Sequence, residues 1–122
     1  MVDTIETDET SRLIASNKVE GTAVYNRQNE RLGSIYNFMV DKKNGQVEYA
    51  VLQFGGFLGI GNDYYPLPWS ILSYDTSQGG YVIDLDKDVL EQAPRYSAGN
   101  EPAYDKNYGN SVYDYYGVTY PY

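Results

Sequence analysis

Lys42-Lys43-Asn44-Gly45 separates two stretches of alternating character, Leu32 to Asp41 (LGSIYNFMVD) and Gln46 to Phe54 (QVEYAVLQF). Asn-Gly readily supplies the positive φ angles that tight hairpin turns demand, so the two stretches read as antiparallel neighbours. In the first, strict alternation puts Tyr36, Phe38 and Val40 on one face and Ile35, Asn37 and Met39 on the other. In the second, Val47, Tyr49 and Val51 alternate with Glu48, Ala50 and Leu52. Both of its faces are partly apolar, as expected of a central strand.

The same punctuation continues along the chain. Gly21 to Tyr25 (GTAVY) precedes the polar turn Asn26 to Glu30; Tyr64 to Leu67, Ser70 to Tyr74 (SILSY) and Gly80 to Leu85 (GYVIDL) follow, with Asp75 to Gly79 as a further turn. About six short strands joined by turns predict an all-β domain, a small antiparallel sheet strongly bent into a barrel. Asp86 to Ala93 reads as one short helix, capped by Asp86 and stopped by Pro94. Leu13 to Val19 holds one helical turn with Ser16 as its cap.

Between two of the strands lies FGGFLGIGNDYYPLPWS, residues 54 to 70. A dinucleotide cradle needs a strand, a glycine turn and then a helix whose amino terminus faces the phosphates. Here the glycines lead to Asn62-Asp63-Tyr64-Tyr65-Pro66-Leu67-Pro68, which cannot start a helix, and no Gly-Lys-Ser/Thr follows. The glycines are better suited to bending or bulging the sheet. Pro66 and Pro68 remove two donors and predict a sheet edge or corner. Phe57, Leu58 and Ile60 either pack over an open barrel end or meet a partner.

The chain of 122 residues has no cysteine and no histidine, which removes disulfides, thiolate nucleophiles, the usual zinc ligands and imidazole acid-base chemistry together. Its formal charge of -8 sits mostly at the ends. Residues 1–11 carry Asp3, Glu6, Asp8 and Glu9 with no base, and residues 96–122 carry Glu101, Asp105 and Asp114 against Lys106. No basic stripe exists to meet phosphates, so neither nucleic acid nor an anionic membrane surface is an expected partner. No apolar run approaches the ~20 residues that cross a bilayer. The amino terminus lacks the pattern of a secretory signal, and a cytoplasmic location is expected.

Composition divides the chain into three zones: an acidic mobile arm at 1–11, a barrel at 12–95 and a tyrosine-rich tail at 96–122, where eight of the fifteen tyrosines fall. Two readings of the tail stand side by side. Lack of aliphatics suits a disordered extension, whereas SVYDYYGVTY, residues 111 to 120, could form a strand that docks along a sheet edge of its own barrel or a neighbour's.

Residues 12 to 94 resemble a PRC-barrel domain, the family named for the cytoplasmic domain of the photosynthetic reaction-centre H subunit. The resemblance rests on Gly21-x-x-Val24, Leu32-Gly33-x-Ile35, the hairpin into Tyr49-Ala50-Val51, the FGGFLGIG loop and Pro66-Leu67-Pro68-Trp69-Ser70. It is similar to the free-standing bacterial subgroup, and implies a small bent barrel used for docking. In the H subunit the related domain helps deliver protons to a quinone; in a ribosome-maturation factor it contacts a ribosomal protein. Neither the membrane helix of the first nor the additional amino-terminal domain of the second is expected here, and no proton-relay residue is matched.

Other chemistry finds less support. Asp84, Asp86 and Asp88 have the spacing that starts a calcium loop, but Val89 and Arg95 stand where that loop needs Gly and Glu. Trp69 is expected in the core. No catalytic, cofactor-binding or metal-ligating residue is expected. The leading reading is a non-enzymatic docking module with a protein partner, assembled as a homodimer. Its expected contacts are Phe57, Leu58 and Ile60 in the loop and Tyr113, Tyr115, Tyr116 and Tyr120 in the tail. The alternatives are an auxiliary small-molecule or ion-binding protein and a carboxylate-dependent hydrolase.

Overall fold

The computed structural model describes residues 12–54 and 63–122. The acidic arm and the glycine-rich segment, with Phe57, Leu58 and Ile60, lie outside the described residues.

In chain order, helical turn α1 (Ser16–Val19) precedes strands β1 (Ala23–Asn26), β2 (Arg31–Val40), β3 (Val47–Phe54) and β4 (Asp63–Pro68). A 3-10 turn (Trp69–Ile71) leads to β5 (Ser73–Asp75) and β6 (Gly80–Ile83). Helix α2 (Lys87–Glu91), the two-residue strand β7 (Tyr96–Ser97) and helix α3 (Lys106–Tyr115) complete the described chain. The strands form one sheet in the order β5-β6-β1-β2-β3-β4-β7. All neighbours are antiparallel except β1 and β6, which run parallel with Val24 opposite Tyr81. The outermost strands β5 and β7 do not pair, so the barrel is open between them.

The hairpin at residues 41–46 forms as a four-residue loop. Asp41 Oδ1 accepts the N–H groups of Lys43 and Asn44 at 2.8 and 3.2 Å. Only Gly45 takes a positive φ, 78°; Asn44 instead accepts the N–H of Gln46 at 2.8 Å. On the far side, Phe54 pairs with Asp63, so the glycine-rich segment joins two adjacent antiparallel strands and leads to no helix. Pro66 and Pro68 face Val51 and Tyr49 of β3, while β7 reaches only Asp63 and Tyr64. Both prolines therefore sit where β4 is an edge and a missing donor breaks no ladder.

One sheet face carries the main core, Val24, Leu32, Ile35, Ala50, Leu52, Leu67 and Ile83, joined by Leu90 of α2, with Trp69 half-buried and edge-on to Phe38 at 5.3 Å. Each fully buried aliphatic side chain here contributes roughly 1.5–3 kcal/mol. Alternation along β2 is not strict, because register shifts between Ile35 (opposite Leu52) and Asn37 (opposite Val51). Tyr36 is the extra residue, and the bulge puts Ile35 and Phe38 on the core side together.

Two caps differ from expectation. Ser16 is the first helical residue, with Ala15 at the cap, and Asp86 caps α2 by its backbone, its side chain making no capping bond. Ser70 lies in the 3-10 turn, so β5 begins at Ser73. The largest difference is the tail. Residues 106–115 form a helix, neither a disordered extension nor a strand, because Tyr108, Val112, Tyr113 and Tyr116 recur at helical spacing on the side that packs against the sheet.

Candidate functional site

The tail lands on the outer face of β3. A second register shift there sets Met39 opposite Tyr49 but Val40 opposite Val47, so Glu48 has no register partner on β2; β4 pairs only from Tyr49 onward. A bulged residue turns its peptide group out of the ladder. The Tyr113 hydroxyl donates to the Glu48 carbonyl oxygen, and the Tyr120 hydroxyl donates to Glu48 Oε1 at 3.2 Å. One irregular residue anchors both the helix and the chain end.

Helix α3 is built to stop where it must. Asp105 caps it, Oδ1 accepting the Tyr108 N–H at 2.9 Å. At the other end Gly117 takes φ 72°, its N–H bonding the Asp114 carbonyl, and Val118 N–H bonds the Tyr113 carbonyl, both at 3.0 Å. This paired arrangement satisfies the last carbonyls and turns the chain back. Tyr120 then lays its ring against Gly109, where any Cβ would overlap it.

Around these anchors a second core forms from Tyr49, Val112 and Tyr113, with Met39, Tyr104, Tyr108, Tyr116, Val118 and Tyr120 packed on it. Tyr49 meets Tyr104 at 5.0 Å and Tyr113 at 5.7 Å, both edge-on, the arrangement aromatic quadrupoles favour. Burial pushes the Tyr49, Tyr104, Tyr113 and Tyr116 phenols well above their ordinary range, and raises Tyr108 to about 12 with a smaller contribution from Tyr96. The Tyr49 hydroxyl is also raised by the nearby Tyr120, although it makes no hydrogen bond.

These shifts fix the sign of an alkaline response. Above the ordinary tyrosine value of 10.0 an unfolded chain loses phenolic protons that the folded chain retains, so stability falls as pH rises. The contribution is intact below about pH 10, and for Tyr108 it is lost by about pH 12. In an alkaline titration the last rise of tyrosinate absorbance, from the buried phenols, should coincide with the loss of circular dichroism above pH 10.

Hydroxyls in this cluster are unequal. Tyr113→Phe should cost about 1–2 kcal/mol, because the Glu48 carbonyl is left without its donor. Tyr49→Phe should be neutral or slightly stabilising, since its buried hydroxyl makes no hydrogen bond. Urea unfolding of the two variants measures the difference.

The sequence pattern of the PRC-barrel domain matches residues 12–90. The chain belongs to the PRC-barrel family. One solved structure similar to it is RimM of Pseudomonas aeruginosa, described as a 16S ribosomal RNA processing protein: 19% identity, TM-score 0.43, covering 66% of this chain and 49% of that one. The chain thus spans about half the length of that protein. No curated protein matches it.

The PRC-barrel match ends inside α2, so the cluster joins Met39 and Tyr49 within the match to Tyr104, Tyr108, Val112, Tyr113, Tyr116, Val118 and Tyr120 beyond it. Of the expected tail contacts, Tyr113 is buried against Tyr49, and Tyr116 is half-buried between the two cores. Tyr120 is half-buried on Gly109, and Tyr115 is 38% exposed with its hydroxyl on the Val89 carbonyl at 2.6 Å. The four are brought together in one helix and its return, but three face inward. Asp84 pairs with Arg27 at 3.3 Å on the surface. Sequence reasoning missed Tyr36 and Val40, 47% and 49% exposed on β2; only the bulge at Tyr36 reveals it, since strict alternation had put both beside Phe38. It also missed Glu48, for which no local sequence signal exists.

Proposed function

We propose that this PRC-barrel domain is a non-enzymatic docking module, working in the cytoplasm by binding another protein or a second copy of itself through its outer surface. The observation that carries this reading is the state of its two sheet faces. Val24, Leu32, Ile35, Leu52, Leu67 and Ile83 fill one, and the tail closes the other around Tyr49. Among the described residues, side chains fill both faces of the sheet, which supports a role for the outer surface. Tyr36 and Val40 offer apolar groups there, on the same strand. Phe57, Leu58 and Ile60, outside the described residues, and exposed Tyr115 belong to the same proposal.

Affinity purification from the native cell with the full chain and with the Tyr36→Ser, Val40→Ser double variant tests it. A partner retained by the full chain and lost by a folded double variant supports the reading. Equal retention puts the contact elsewhere, and a monomeric mass by light scattering at all concentrations removes the homodimer.

A further inference from the structure

Nine asparagines occur in the chain, and only Asn44 is followed by a glycine. The distinction is chemical. An asparagine side-chain amide is open to attack by the peptide nitrogen of the next residue, and a glycine there has no Cβ to obstruct the approach. Asn44 and Gly45 are both exposed, and no atom lies within 4 Å of where a Cβ on Gly45 would stand. Asn44 Oδ1 accepts the Gln46 N–H at 2.8 Å, which lays the side-chain amide along the Gly45 peptide and draws electron density from its carbon. One contact opposes the attack: the Gly45 N–H donates to the Asp41 carbonyl at 2.8 Å. It lies in an exposed loop, where such a bond opens at little cost.

Other asparagines are held differently. Asn26 is 1% exposed, with Oδ1 accepting the N–H groups of Gln28 and Glu30 and Nδ2 donating to Glu30 Oε1. Asn107 and Asn110 lie in α3, whose fixed backbone angles keep the next peptide nitrogen away from the side chain.

We propose that Asn44 is a site of spontaneous deamidation, and that its isoaspartyl product loosens the tail from the barrel. The Gly45 nitrogen gives its proton to a solvent base and bonds to Asn44 Cγ. The Cγ–Nδ2 bond breaks, and ammonia leaves after taking a proton back from solvent. Water then opens the resulting cyclic imide at one of its two carbonyls. Opening at the side-chain carbonyl leaves aspartate at position 44; opening at the main-chain carbonyl routes the chain through Cγ and leaves isoaspartate, with one more atom in the backbone. A water is consumed, an ammonia is released, and no oxidant or reductant takes part.

That extra atom falls where strand alignment is decided. The Asp41 N–H donates to the Gln46 carbonyl at 2.8 Å across the base of this loop, and loop length sets the register of the strands it joins. The same register presents Glu48 to Tyr113 and Tyr120.

The test incubates the full chain in warm neutral buffer and locates isoaspartate by enzymatic methyl labelling and peptide mass spectrometry. Conversion at residue 44 should exceed that at every other asparagine several-fold. Ion exchange separates the converted chain by its added negative charge, and its urea midpoint should fall below that of the unconverted chain. Asn44→Asp carries the same charge without the extra atom and should keep the original midpoint, as should Asn44→Gln after the same incubation. Isoaspartate spread evenly over the exposed asparagines, or absent from residue 44, would overturn the site. A converted chain with an unchanged midpoint, or an equal fall in Asn44→Asp or in incubated Asn44→Gln, would overturn the link to the tail.

Discussion

A chain ended at Glu101 should lose its cooperative unfolding transition and form large assemblies. The deletion removes Val112 and Tyr113, both wholly buried, with most of the cover over Tyr49 and Met39. Full burial of one such side chain contributes about 1.5–3 kcal/mol, and ordering the segment costs backbone entropy in return. The net loss expected is about 3–5 kcal/mol, comparable to the whole stability of a domain near the lower end of about 5–15 kcal/mol. What remains exposes an apolar face centred on Tyr49, which favours association. Urea unfolding and light scattering read both effects. An unchanged midpoint in a monomeric truncated chain would mean that the tail only rests on the domain.

Gly33→Val should be the most damaging single substitution on β2. A Cβ at this position would overlap the carbonyl oxygen of Gln53 and crowd Leu52 Cδ1 at 3.2 Å. Gly33 also faces Val24 of β1, while its neighbour Ser34 faces Gln53 of β3, so the strand is held on both sides. A backbone oxygen in a ladder cannot swing aside as a side chain does. The expected loss is about 3 kcal/mol or more, at the top of the range for overpacking. The midpoint of thermal denaturation should fall by about 10 °C or more. A fall of only a degree or two would mean that β2 and β3 can separate locally without loss.

Both predictions depend on features of different legibility. Leu32-Gly33-x-Ile35 and the Asn44-Gly45 hairpin were readable because turn chemistry and two-residue alternation are local. The strands they predicted are present, and the proline pair falls at a sheet edge as its missing donors require. Alternation failed at Tyr36, where a bulge changes the count by one; nothing in the residues themselves marks that position. The tail was misread because aromatic and β-branched residues in SVYDYYGVTY suit a strand, while the helical evidence lies at longer range. Asp105 as a cap, Gly117 as a stop and the recurrence of Tyr108, Val112, Tyr113 and Tyr116 were all visible, but they matter only once the outer face of β3 exists to bury them. Glu48 was illegible altogether. Its role comes from pairing between strands, which composition does not record.

The attachment at Glu48 couples two distant decisions in folding. A slip of one residue in the hairpin at 41–46 would carry the Glu48 carbonyl and carboxylate to the opposite side of the sheet, out of reach of Tyr113 and Tyr120 together. The last helix can therefore seat itself only on a correctly aligned strand pair. Two hydroxyls from beyond residue 110 thereby favour one alignment of the strands around residue 48 over its neighbours.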